Sequence, residues 1–114
     1  MTQHDDDTSR LRHMLRYARE AVTLAQGKGR ADLDSSRMLE LSLVRLLEII
    51  GEAGDRVSAE GRESLAAIPW RQVINMRNRL IHGYDEVDLD ILWDTITKDL
   101  PQLIIELERV LTSE

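Results

Sequence analysis

Apolar residues recur along this chain at spacings of three and four, the period of an amphipathic helix. Leu11, Leu15, Ala18, Val22 and Ala25 form one such stripe. Gly27-Lys28-Gly29 follows it as a flexible stop. Asp34, Ser35 and Ser36 then offer N-caps for a second helix reaching about Ala53. That helix is unusual. Leu39, Leu43, Leu46 and Ile50 make one stripe, while Leu41, Val44 and Leu47 spread apolar character onto another side. A helix apolar over most of its surface is either central or shared with a partner, so a homodimer is expected. Arg45, Glu48 and Glu52 are its polar exceptions.

A short helix is predicted around Glu60 to Ala67. A third long helix should start with Pro69 at its first position, where the missing N–H is harmless, reach about Ile81 and stop at Gly83. Asp88 caps a last helix whose stripe is Leu89, Trp93, Ile96, Leu100, Leu103, Leu107 and Val110. Pro101 falls inside that stripe, removes one backbone hydrogen bond and should kink the helix. No repeat, low-complexity tract or linker interrupts the pattern. The expectation is an all-α, up-and-down bundle of four main helices plus a short one, as a single domain over residues 1–114.

Composition narrows this picture. Aromatic residues are only 4% and Phe is absent, so β-structure lacks its usual packing residues. With no Cys, disulfides and thiolate metal sites are excluded, which fits a cytoplasmic protein. The polar, acidic start from Met1 to Asp7 is unlike a signal peptide. No apolar run approaches the roughly 18 residues of a membrane span.

The formal net charge of -6 argues by itself against nonspecific nucleic-acid binding. Its distribution changes that reading. From Arg71 to Tyr84 stand three arginines and a histidine without an acid, and from Asp85 to Asp94 five acids without a base. The plain alternative is a solvated face beside an acidic helix start.

The segment Met76-Arg77-Asn78-Arg79-Leu80-Ile81-His82-Gly83-Tyr84 gathers polar, ionisable and aromatic groups at a predicted helix end. At about 100° per residue, Arg77 and Tyr84 share a face, whereas Arg77 and His82 stand about 140° apart. The two converge only if the helix breaks, and Gly83 offers a break. These residue types suit metal-independent RNA cleavage. Histidine titrates near neutrality and can exchange a proton. Arginine presents a planar fork to phosphate and stabilises charge in the transition state. RNA carries its own nucleophile, the 2′-hydroxyl, so no Ser, Cys or metal is required. A lone histidine beside a glycine is also a common helix cap. Trp70 and Trp93 read as core residues, and His4 and His13 as surface residues. No Glu-x-x-His or His-Glu-x-x-His pattern offers a metal site.

Arg77, four residues, His82, one residue and Tyr84 resemble the signature of HepT-like toxins in the HEPN superfamily, with Asn78 matching the polar residue after the arginine. The flanks resemble it too: Ile49-Ile50-Gly51-Glu52-Ala53, Ile68-Pro69-Trp70, His82-Gly83-Tyr84-Asp85, Trp93, and Asp99-Leu100-Pro101. The resemblance covers roughly residues 8–111. It implies a HEPN-like helical bundle and a dimer that brings two motifs into one cleft. It implies a metal-independent endoribonuclease toxin of a type VII module, needing no cofactor. It further implies a nucleotidyltransferase antitoxin of the MntA type, which uses ATP to place AMP on Tyr84. The implied roles are proton transfer for His82, phosphate holding for Arg77, orientation for Asn78 and backbone binding for Arg79. The alternatives are a non-catalytic HEPN module that binds nucleotide or RNA in the same cleft, and a plain structural bundle.

Overall fold

The computed structural model describes residues 3–82 and 86–112. The first helix, α1, runs Gln3–Ala25 and ends where Gly27 adopts φ +78°, a left-handed turn that suits glycine. A short helix α2 (Ala31–Ser35) leads into the long α3, Arg37–Asp55. Ser36 caps α3 by accepting the Leu39 N–H at 3.1 Å. Helix α4 (Ala59–Ser64) is capped in the same way by Ser58. Asp7 of α1 reaches across to accept from both the Ser58 N–H and its hydroxyl, which fixes the start of α1 to α4.

The predicted third helix is finer-grained than its periodicity suggests. It consists of α5 (Trp70–Ile74) and α6 (Met76–Leu80), interrupted at Asn75, whose φ −95° and ψ 13° lie outside the helical region. Pro69 occupies the N-cap position of α5, one residue before the place expected for it. Helix α6 ends at Leu80, because Ile81 turns to extended geometry (φ −102°, ψ 120°). A two-residue strand β1 (Ile81–His82) then pairs antiparallel with β2 (Glu86–Val87), in the register Ile81 to Val87 and His82 to Glu86. The helical periodicity of the sequence does not predict this hairpin.

Asp88 caps α7 (Leu89–Asp94) through the Ile91 N–H, as expected. A turn of π-helix, Thr95–Asp99, joins α7 to α8, Leu100–Thr112. It lies just ahead of Pro101, whose ring and missing N–H disturb the regular i to i−4 ladder. Two threonines bond back onto the preceding turn: the Thr95 and Thr97 hydroxyls donate to Ile91 O and Trp93 O, each at 2.8 Å.

Helix α3 is central, packed by α1, α5, α6 and α7. Its Leu43, Leu47 and Ile50 are fully buried, together with Met14 of α1, Leu80 of α6 and Leu92, Ile96, Leu100 and Leu107 of the last helical run. Each such side chain contributes about 1.5–3 kcal/mol by leaving water. The all-helical bundle therefore stands, with a minimal hairpin added. Trp70 is half-buried and donates its indole N–H to Leu65 O at 3.0 Å, and Trp93 packs on the core. Both pack against the core while remaining partly buried. His13 is exposed, while the His4 side chain, Gly83 and Tyr84 lie outside the description.

Gly51 controls how close α5 comes. A Cβ there would sit 3.1 Å from Val73 O and 3.3 Å from Ile74 O, against backbone that cannot rotate away. Gly51→Val should therefore destabilise the fold by about 2–3 kcal/mol in urea unfolding, the range of overpacking. Gly29→Ala, with open space around the new methyl, should stay within about 0.5 kcal/mol.

Candidate functional site

The close packing of α5 on α3 delivers the motif to a defined place. Buried Met76 anchors the start of α6, and Arg77 follows it on the exposed side. The Arg77 Nε–H donates to Glu48 Oε2 at 2.9 Å. The Arg77 side chain is about half exposed (56%), while that of Glu48 is more enclosed (23%). Arg77 and Asn78 line one wall of a cleft of about 170 Å³, and Glu48, Gly51, Glu52 and Asp55 of α3 line the other. Glu52 is drawn partly aside by Arg45 at 3.8 Å.

Arg79 and His82 look elsewhere. Arg79 lies 3.7 Å from Asp99 in the π turn. The exposed His82 presents Nε2 at 3.7 Å from Asp88 Oδ2, an ion-pair distance rather than a hydrogen bond. Asp88 spends its other oxygen on the α7 cap. The chain thus brings Arg77 and Asn78 together and places Arg79 and His82 toward the last helical run. The break that frees His82 comes earlier than Gly83, at the end of α6. The helix that carries Arg77 stops at Leu80, short of the regular turns that a shared face with residue 84 requires. Tyr84 itself lies outside the described residues.

The local excess of positive charge from Arg71 to Tyr84 does not survive folding intact. Three of its residues each meet a carboxylate from another segment: Arg77 meets Glu48, Arg79 meets Asp99 and His82 meets Asp88. The motif positions alone did not disclose these partners. Glu48 was visible only as a polar exception on an otherwise apolar helix. Among the described residues, no group of three or more His, Asp or Glu side chains is placed to hold a metal ion. No described helix is long and apolar enough to cross a membrane.

The family model described as "Ribonuclease HepT-like" matches residues 14–110, a span that includes α3, the cleft and the motif. The chain belongs to the HepT-like ribonuclease family. With the family comes an enzyme class, ribonuclease, in agreement with the sequence reading. The chain is 35% identical over 104 residues to a protein of Caldanaerobacter subterraneus named "Putative RNase", covering 91% of this chain and 93% of that one. It is 35% identical over 79 residues to the "Probable ribonuclease HepT" of Thermococcus cleftensis, covering 69% and 72%. It is also 34% identical over 101 residues to a Methanocaldococcus jannaschii protein named "Gamma-glutamylcyclotransferase and putative RNase", covering 89% of this chain and 46% of that longer one. No solved structure matches.

Within this HepT-like chain, Glu48 orients Arg77 at the surface rather than building the core. Exposed pairs of this kind contribute about 0.2–1 kcal/mol. Glu48→Gln should accordingly leave the denaturant midpoint almost unchanged. A loss above about 2 kcal/mol would make Glu48 a structural anchor instead.

Proposed function

We propose that this chain is the metal-independent endoribonuclease toxin of a type VII toxin–antitoxin module, active as a homodimer and using no cofactor. The observation that carries this reading is Arg77, fixed through Nε on Glu48 in an open cleft beside Asn78. Its terminal amino groups remain to grip a phosphate, and the fork arrives already oriented.

In the reaction, the RNA 2′-oxygen forms a bond to the adjacent phosphorus and the bond to the 5′-oxygen breaks. A base takes the 2′-hydroxyl proton and an acid returns a proton to the leaving oxygen. His82 is the proton carrier, and Asp88 steadies its ring. Arg77 holds the scissile phosphate and offsets the charge that develops on it. Asn78 orients the cleft, and Arg79 contacts backbone phosphate. One motif offers a single imidazole, whereas the reaction needs both a base and an acid. Two copies supply both.

The outer face of α3 supports pairing of two copies. Met38 (79% exposed), Leu41 (51% exposed), Arg45, Glu48 and Glu52 follow one another at helical spacing, so an apolar patch runs directly into the cleft. A second copy on that patch would bring two clefts together. A second reading, a non-catalytic HEPN module that binds nucleotide or RNA in the same cleft, is favoured by the separate placement of His82 on Asp88 and Arg77 on Glu48. Cleavage by the purified protein decides between them.

Wild-type protein, verified as a dimer by sedimentation at micromolar concentration, should cut RNA, and EDTA should leave the rate unchanged. His82→Ala should lose cleavage by at least about a hundredfold, the lower range for losing an acid–base group, with an unaltered circular dichroism spectrum. Retained cleavage in His82→Ala would remove this histidine from the mechanism.

The regulatory part of the proposal rests on sequence position and on the family. Tyr84 stands one residue beyond Gly83 and accepts AMP from ATP: its oxygen bonds to the α-phosphorus, pyrophosphate leaves, and the phenolic proton goes to solvent. The added phosphate competes with RNA for Arg77 and Arg79. Co-expression with an MntA-type nucleotidyltransferase should add the mass of AMP to the Tyr84 peptide and stop cleavage. Unchanged cleavage after full modification would refute the switch.

A further inference from the structure

Residues 10–19 of α1 read Arg-Leu-Arg-His-Met-Leu-Arg-Tyr-Ala-Arg, with four arginines, one histidine and no acid, in a chain of net charge -6. The motif does not include them. Leu11, Met14, Leu15 and Ala18 bury one side of this segment, so its basic residues are confined to the remaining surface.

One part of that surface is built into a site. Arg10 and His13 stand one turn apart on α1, opposite Arg56, the residue that closes the C-terminal end of α3. Together with Glu52 they line a depression of about 140 Å³ floored by Ile49 and Ala53. The Arg10 Nε is buried and has no hydrogen-bond partner, a costly state for a charged donor unless an acceptor fills it. Among the described residues, no ion pair is formed by the Arg10, His13 or Arg56 side chains. The only acid on the lining, Glu52, is engaged with Arg45.

The position of this depression matters as much as its charge. Glu48, Glu52 and Asp55 form one stripe of α3 and line the motif cleft. Ile49, Ala53 and Arg56 form the neighbouring stripe, turned by about 100°, and line the basic depression. Glu52 borders both, so the two sites flank a single helix on the order of 10 Å across. A single RNA strand spans that ridge within a few nucleotides.

We infer that Arg10, His13 and Arg56 form a second phosphate subsite, which holds the RNA backbone a few nucleotides from the bond cut in the motif cleft. This inference rests on the ribonuclease reading and specifies where its substrate lies. The subsite binds without sequence preference, since it offers charge and donors but no groove for base edges. It also supplies the attraction that the acid-lined cleft lacks. Arg10 is part-buried on the lining, where its guanidinium meets no carboxylate among the described residues that would compete with phosphate.

The test uses a fully 2′-O-methylated single-stranded RNA, which lacks the nucleophile and so reports binding alone, beside a cleavage assay on ordinary RNA. Arg10→Gln/Arg56→Gln should raise the Kd about tenfold. It should flatten the slope of log K against log salt by about 1–1.5, the share of two phosphate contacts on a single strand. The rate at saturating RNA should hold. Arg56→Gln alone, at an exposed position, should give a smaller shift of the same sign with an unchanged melting curve. Lys28→Gln/Lys98→Gln removes the same charge elsewhere and should leave the Kd within about twofold. An equal loss in that control would reduce the effect to net charge and overturn the subsite. Wild-type protein that binds and cuts RNA, while the double variant matches it in Kd and salt slope, would also overturn it. Wild-type protein that neither binds nor cuts RNA would instead remove the ribonuclease reading.

Discussion

The approach of α5 to α3 at Gly51 sets the geometry on which the motif depends. Without a side chain at that position, the carbonyls of Val73 and Ile74 settle directly onto the α3 backbone. A Cβ at Gly54, one turn later, would lie 3.4 Å from Val73 Cγ1 and 3.6 Å from Met14 Cε, so α1 joins the same seam. Met76 is then buried within two residues of the contact, and Arg77 emerges one turn of α3 away from Gly51, beside Glu48. A wider helix pair would leave the guanidinium short of its carboxylate. The resemblance in Gly51-Glu52-Ala53 therefore has a physical content: it marks a required closeness between two helices and one acid of the cleft they form.

Charge follows a different logic in the chain than in the fold. Along the sequence, bases and acids are segregated, with residues 71–84 free of acid and residues 85–94 free of base. Folding interleaves them. The hairpin and the last helical run bring Asp88 and Asp99 to His82 and Arg79, and α3 brings Glu48 to Arg77. These are surface pairs that add little to stability. Their effect is to restrict where Arg77, Arg79 and His82 point.

The elements legible in the sequence were those governed by local rules. Ser36 and Asp88 cap helices because a short oxygen-bearing side chain satisfies an otherwise unpaired N–H, and Gly27 ends α1 because it tolerates positive φ. The stripes of α3 and α8 were legible because burial repeats with the helical period. The break at Asn75 was not, since the hydrophobic pattern runs through it unchanged from Val73 and Met76 to Leu80. The hairpin was hidden by length: two residues per strand are too few to show alternation. Its one local cue was a β-branched residue on each side of a Gly-containing stretch, Ile81 before and Val87 after. The π turn was legible only as a disturbance at Pro101. Of the candidate site, residue identities could be read directly, but their carboxylate partners could not, because those contacts join residues far apart in sequence.

The presence of Glu48 at the arginine proposed to hold phosphate looks self-defeating until distances are compared. Glu48 occupies the Nε edge of the guanidinium, while a phosphate would take the opposite edge, formed by the terminal amino groups. The carboxylate and phosphate charges would then be separated by roughly 7 Å, a repulsion of about 0.6–2.4 kcal/mol between dielectric constants of 80 and 20. The guanidinium charge, about 4 Å from the phosphate, attracts it by about 1–4 kcal/mol over the same range. Attraction exceeds repulsion across that span. Fixing the arginine during folding also removes part of the roughly 2 kcal/mol of rotamer entropy that a free side chain would lose on binding. Glu48 thus weakens the charge of the cleft but improves its aim. Such an exchange would suit the proposed role of holding one phosphate in one orientation, with the bulk of the RNA attraction left to the inferred basic subsite outside the cleft.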